Sequence, residues 1–421
     1  MSGPVARIVE VVVPARLGRG FRWLYAASIA TNIGDGIVLS AGPLLVAAQT
    51  RDPLLVSLAV LSQYLPHLLF GLLAGVVADR HDRRRIVTAV NLGRAAVVLG
   101  LTVAIATSVV NIAILLLVLF VLGTAETFAD AASSTLLPRL VEDRDLGAAN
   151  TRTQGATLLL NQLAAPPVGA FLFAVGMALP FAVNAAGFAL GAVLISRVVV
   201  SSTLLTADER RGIRTEIGDG VRWLMRHPPM RTLAITIFTF NITFGAAWSV
   251  LVLYAAERLA MDALGFGLLT TAMAVGGIIG VATYGRLERR FALGDIMRVG
   301  LLIETLTHLV FAVNTAPSIA LATMVLMGAH AFVWGTTSNV VRQRAVPDEL
   351  MGRVGSVYRI AGLGGHVVGA PIGGLLARGF GITAPFWFGF IGSALLVVLL
   401  WRQFAYIAHA GDPSSAAAAG D

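Results

Sequence analysis

The groups that could do chemistry here are a few carboxylates, histidines and arginines set among apolar residues. Asp35 lies in a long apolar run and shares a helical face with Asn32 three residues before it, while Gly34 and Gly36 flank it and leave room for water or a cation. An ionised carboxylate at bilayer mid-depth costs about 2.5–3.5 kcal/mol on insertion scales. Asp35 is therefore either a site that binds and releases a proton or cation, with cargo competing for the same state, or a permanently hydrogen-bonded packing residue. Glu304 has His308 one turn further along, and the two would titrate as a buried pair or serve packing alone. His67, His330 and His366 lack metal-ligand spacing and accompanying carboxylates, so they read as packing residues, and neither a metal nor another cofactor is expected.

A second group of charges lies where apolar runs end. Asp79 is followed by Arg80, Arg83 and Arg84, and a carboxylate beside guanidiniums at a helix exit can form charge-assisted pairs that break when helices separate, as a latch would. Glu126 and Asp130, one turn apart at matching depth, are the expected partners. Arg94 falls inside an apolar run and reads as a structural residue that extends its side chain to the interface. Phe240, Phe244 and Trp248 recur at steps of four beside Asn241, giving an aromatic face suited to stacking and cation–π contact with a bulky amphipathic or cationic compound, or to packing against lipid or neighbouring helices. Small residues at four-residue intervals (Gly71 and Gly75; Gly276 and Gly280; Gly365, Gly369 and Gly373) allow close backbone approach. Pro166 and Pro167, just before Gly169, and Pro371 interrupt backbone hydrogen bonding and mark bendable sites.

The elements that must hold these residues follow from composition. Of 421 residues 57% are hydrophobic and 13% charged, against about 45–50% and about 25% in a soluble domain. The chain lacks the polar groups to cover a folded surface in water. Mean hydropathy is +0.81. Apolar runs bounded by charge, Gly or Pro place twelve spans near 22–47, 54–78, 86–106, 109–129, 153–175, 179–199, 232–256, 264–285, 296–313, 317–338, 355–377 and 383–404. With the first span starting inside, Arg51, Arg258 and Arg378 fall on the outer side, Arg94 falls within span 3, and the other arginines of the 31 basic residues lie on the inner side. The positive-inside rule then puts both termini in the cytoplasm and explains the net charge of +8 without nucleic acid. No cleavable signal is read before span 1. Cysteine and lysine are both absent, which excludes disulfides, thiolate sites, a Walker A lysine and a Schiff base.

A shift of 204 residues aligns Ser134 with Ser338, Leu146 with Leu350, Pro167 with Pro371 and Gly169 with Gly373. Six spans followed by six in the same orientation is a parallel duplication. The resulting organisation is a cytoplasmic segment 1–21, a six-helix bundle 22–200, a cytoplasmic linker 201–230, a second bundle 231–405 and a disordered tail 406–421. In the linker Ile213, Ile217, Val221 and Leu224 form an apolar stripe on a charged helix, which either couples the bundles or tethers them.

Residues 71–85 carry the most specific pattern. Gly75, Asp79, Arg80, Arg83 and Arg84 resemble, in order and spacing, the Gly-x-x-x-Asp-Arg-x-Gly-Arg-Arg signature of the major facilitator superfamily, with Asp82 standing where the second glycine would be. The equivalent place after span 8 has Tyr284 for the aspartate. Looser motifs resemble drug and macrolide efflux proteins and the enterobactin exporter: Leu137-Pro138 with Ala149-Asn150, Ala165 to Gly169, and Val346 to Leu350 with Gly352-Arg353. The resemblance implies an all-α membrane protein of twelve helices in two parallel-repeat bundles that alternate access around a central cavity. It also implies a proton-driven antiporter rather than an enzyme, with no nucleophile–base set to argue otherwise. If the spans pack as in that family, Tyr64, Phe332 and Trp334 join the aromatic face of span 7, whereas the span bearing Glu304 is peripheral. The function expected is export of a hydrophobic or amphipathic small molecule, such as a drug, macrolide or siderophore-like compound, from the inner membrane by a monomer. An importer of a polar solute and a non-transporting receptor are the rivals.

Overall fold

The structure, a computed structural model, describes residues 15–134, 136–199 and 213–408. Among the described residues ten helices are long and apolar enough to cross a membrane, and two shorter apolar helices accompany them. In the first half these are span 1 Gly18–Gln49, span 2 Pro53–Arg80, span 3 Arg83–Ala106, span 4 Ile112–Ser134, span 5 Leu146–Val175 and span 6 Leu179–Ile195. A helix Ile213–Arg226 follows, then span 7 Pro228–Glu257, span 8 Ala263–Arg290, span 9 Leu293–Val313, span 10 Pro317–Ala345, span 11 Asp348–Phe380 and span 12 Ala384–Leu400. Several run past the apolar runs that define them, because a helix that leaves the bilayer keeps satisfying its own backbone. Helix also covers residues expected in the two terminal segments: span 1 begins at Gly18, and Gln403–Ala408 forms a short helix burying Phe404 and Ile407. Residues 1–14 and 409–421, and linker residues 201–212, lie outside the described residues.

The chain forms two compact units. One comprises the described residues up to Gln49 and from Leu65 to the end of span 6; the other comprises Thr50–Tyr64 and everything from the helix Ile213–Arg226 onward. Within the first, span 1 packs on spans 5 and 6, and span 3 on spans 4 and 6. Within the second, span 7 packs on spans 11 and 12, and span 9 on spans 10 and 12. The duplicated contacts extend to single atoms. A Cβ on Gly36 would strike the Asn161 backbone and one on Gly169 the Ile37 carbonyl; in the second unit Gly245 meets His366 and Gly373 the Ala246 carbonyl in the same manner. Ser40 Oγ donates to the Pro166 carbonyl at 2.6 Å, and Ser249 Oγ approaches the Ala370 carbonyl at 3.4 Å. These hydroxyls tie each helix to a carbonyl of the facing helix at its proline.

Two irregularities have local causes. Span 5 widens into a π-helical stretch, Thr157–Ala164, directly before Pro166 and Pro167. Their rings would collide with the carbonyls four residues earlier, and a wider turn gives them room. Span 3 starts at Asp82, whose extended backbone and carboxylate accept the Arg84 and Arg85 amide N–H groups at 2.9 and 3.3 Å. The aspartate that replaces the signature glycine is thus a helix N-cap.

The two units differ at their second helices. Gly276 and Gly280 of span 8 press on span 10 at Val325 and Ala329, and Gly328 presses back on Met273. Gly71 and Gly75 of span 2, expected to permit equally close approach, face nothing within 4 Å of an added Cβ. Span 2 meets span 4 through an edge-on ring pair instead, Phe70 and Phe120 at 6.3 Å. Gly276→Ala and Gly369→Ala, which push a methyl into a backbone carbonyl, should each cost about 1–3 kcal/mol. Gly71→Ala and Gly75→Ala should be neutral or gain up to about 1 kcal/mol from helix propensity. Thermal unfolding of the four purified variants in lipid nanodiscs checks the contrast.

Candidate functional site

The first unit holds an ion pair inside the apolar zone. Asp35 projects from the middle of span 1 and its Oδ1 lies 3.2 Å from Nη2 of Arg94 in span 3. The arginine is not extended to the interface as its position in span 3 suggested. Its side chain is only 9% exposed against 31% for Asp35, and its guanidinium stacks 4.0 Å above the Phe188 ring of span 6. Three helices therefore converge on one cation. The carboxylates of Glu126 and Asp130 in span 4 are near enough to Asp35 for like charges to repel. Asn32 turns away and donates to the Ser28 carbonyl at 2.8 Å. The room expected beside Asp35 is filled as well, since Gly34 abuts Asn184 and Gly36 abuts Asn161. The flanking glycines seat neighbouring helices, and the aspartate stays partly exposed.

The basic run after span 2 is partly described. Asp79 lies in the last turns of span 2, with its side chain outside the described residues, and Arg80 is exposed. Arg84 donates to the Val198 carbonyl at 3.2 Å, tying the start of span 3 to the end of span 6.

In the second unit Glu304 is fully buried, with His308 Nε2 3.1 Å from one carboxylate oxygen and His330 Nε2 3.5 Å from the other. His330 had read as a lone packing histidine. Spans 9 and 10 instead bring it onto the carboxylate from a second helix, a neighbour that spacing along one helix cannot reveal. Gly300 and Gly389 make the space: a Cβ on either would strike an imidazole of this cluster.

The aromatic face of span 7 divides into two clusters. Phe240 stacks on Trp334 of span 10, with centroids 5.7 Å apart and planes 2° from parallel, and meets His330 edge-on. Phe244 stacks on Trp248 at 4.7 Å and meets His366, which also touches Tyr64 at 5.0 Å. Asn241 is turned back onto the Ile237 carbonyl and supports Gly365 of span 11. Phe332, expected to share the space with Trp334, lies beside Gly280 of span 8. Gly365, Gly369 and Gly373 close span 11 onto span 7, and Pro371 sits inside that contact. Trp334 continues into a cavity of about 550 Å3 between spans 7, 10 and 11, bordered by Ser338, Asn339, Arg342, Tyr358 and Arg359.

Residues 13–415 match the family described as transmembrane secretion effector. The chain is 27% identical over 381 residues to the multidrug efflux pump Tap of Mycolicibacterium fortuitum, covering 86% of this chain and 90% of that one. It is 24% identical over 396 residues to the enterobactin exporter EntS of Shigella boydii serotype 4, strain Sb227, covering 90% and 92%. Among solved structures it superposes on the nucleoside transporter NupG with a TM-score of 0.75 at 12% identity, covering 92% of this chain and 100% of that one. A bacterial homologue of the iron transporter ferroportin gives 0.72 at 18%, covering 93% and 98%. Two units with duplicated contacts, together with these relatives, identify a multi-pass secondary transporter for a small molecule and not an enzyme: the chain belongs to the transmembrane secretion effector family of the major facilitator superfamily.

Proposed function

We propose that this transporter exports an amphipathic small molecule across the cytoplasmic membrane in exchange for protons, with Asp35 as the coupling group. The observation that carries the reading is the Asp35–Arg94 pair, a partly exposed carboxylate facing a guanidinium that is closed in. Protonating Asp35 cancels its attraction for Arg94, and in this reading the freed guanidinium then turns toward Glu126 or Asp130, whose charges also act on Asp35. A proton thus shifts the balance between two pairings, which is what a coupled transporter needs from a bistable element. One proton moving down 100 mV supplies about 2.3 kcal/mol, or roughly a fifty-fold cargo gradient.

Direction and cargo class draw support from the efflux and exporter relatives and from the aromatic clusters around Phe240 and Phe244. In this reading Glu304, His308 and His330 form an enclosed second proton-holding cluster. The run from Gly75 to Arg84 acts as the latch at the inner face, where the arginine bias also places both termini.

In liposomes with an imposed pH gradient, the parent should drive efflux of amphipathic fluorescent substrates, and Asp35→Asn should lose the dependence on the gradient while keeping the fold. An Asp35→Asn variant that still follows the gradient removes Asp35 from coupling. The pair itself is testable by stability. Removing one member of a buried pair costs about 3–5 kcal/mol, whereas replacing both is often close to neutral. Asp35→Asn combined with Arg94→Met should therefore melt above Asp35→Asn alone, as read by thermal unfolding in nanodiscs.

A further inference from the structure

The second unit holds more arginine at one end than its carboxylates use. Arg344 reaches Glu288 at 3.5 Å, Arg353 reaches Asp219 at 3.5 Å, and Arg298 reaches Asp295 at 3.0 Å. Arg342 and Arg359, which border the cavity, pair with no carboxylate among the described residues. They are near enough to one another to repel.

Arg342 is nonetheless held in place. One of its N–H groups donates to Asn339 Oδ1 at 2.6 Å, and its guanidinium lies 5.0 Å from the centre of the Tyr358 ring. Tyr358 is fixed in turn by its hydroxyl, which donates to the Met230 carbonyl at 2.7 Å. A guanidinium has five N–H donors, so most of those on Arg342 remain available. The floor beside it is apolar and aromatic, with Trp334 clamped by its stack on Phe240. Holding two like charges together next to an apolar wall costs energy in the empty state, and an anion with an apolar body relieves both terms. A volume of about 550 Å3 suits a drug-sized molecule.

We propose that the cavity between spans 7, 10 and 11 binds an amphipathic organic anion, its carboxylate, sulfonate or phosphate held by Arg342 and Arg359 and its aromatic or apolar body laid against Trp334 and Tyr358. The cavity lies wholly within the second unit. The inference rests on the export reading only in naming that anion as cargo.

The test uses the full chain in phosphatidylcholine nanodiscs and two probes, dansylglycine and its uncharged amide. Dansylglycine should bind at least about tenfold more tightly than the amide, since hydrogen bonds to charged groups contribute about 1.5–3 kcal/mol. Arg342→Gln and Arg359→Gln should each weaken the carboxylate about tenfold and leave the amide unchanged. Arg344→Gln, which removes an equal charge from the same end outside the cavity, should change neither. Size-exclusion elution and melting temperature establish that each variant is folded, and Arg342→Lys should recover part of the affinity because it restores charge without the planar fork. Equal binding of carboxylate and amide, or equal loss in Arg344→Gln, overturns the site. Displacement of dansylglycine by phosphatidylglycerol added to the discs overturns its assignment to cargo in favour of a lipid headgroup. In liposomes, loss of dansylglycine flux in Arg342→Gln with amide flux retained supports the assignment. If no compound moves in the parent while the binding contrast holds, the export reading fails and the anion site stands.

Discussion

A charge surrounded by hydrocarbon has no water to fall back on, and this constraint organises the protein around its few intramembrane ions. Arg94 has lost nearly all contact with solvent, and two other helices supply part of what water would have given it: a carboxylate from span 1 and an aromatic face from span 6. Glu304 is treated in the same way by two imidazoles from spans 9 and 10. Each cluster needs several helices at fixed depth, so the requirement to satisfy one charge becomes a requirement on packing.

That packing is provided by small residues. Where span 1 meets span 5 and span 7 meets span 11, glycines place one helix against the carbonyls of the next, and a serine hydroxyl reaches a carbonyl of the facing helix. Lipid offers no hydrophobic drive for helix association, so contact area and a few internal hydrogen bonds must supply it. The same contacts recur in both units because Gly36, Ser40 and Gly169 have counterparts in Gly245, Ser249 and Gly373. The departure at span 2, whose glycines are unfilled while those of span 8 are locked onto span 10, makes the two units mechanically unequal.

Charge is unequal as well. Inside the apolar zone the first unit holds the Asp35–Arg94 pair, whereas the second encloses Glu304 between histidines and leaves two arginines beside a cavity. The carboxylate proposed for coupling thus lies in one unit and the cavity proposed for an anion in the other.

Much of this was legible in the residues themselves. Twelve apolar runs, arginines on alternate loops, a repeat at 204 residues and the run from Gly75 to Arg84 determine a duplicated membrane transporter, because span length, loop charge and repeats are properties of the chain read in one dimension. Asp35 and Glu304 stood out for the same reason, as ions in places where ions are costly. Their partners did not. Arg94 is 59 residues from Asp35, and His330 lies on a different helix from Glu304, so neither separation follows from helical periodicity. The glycines were equally ambiguous: the four-residue spacing of Gly71 and Gly75 matches that of Gly276 and Gly280, yet only the second pair touches a neighbour. Periodicity states which residues share a face, and only the assembled bundle decides what that face meets.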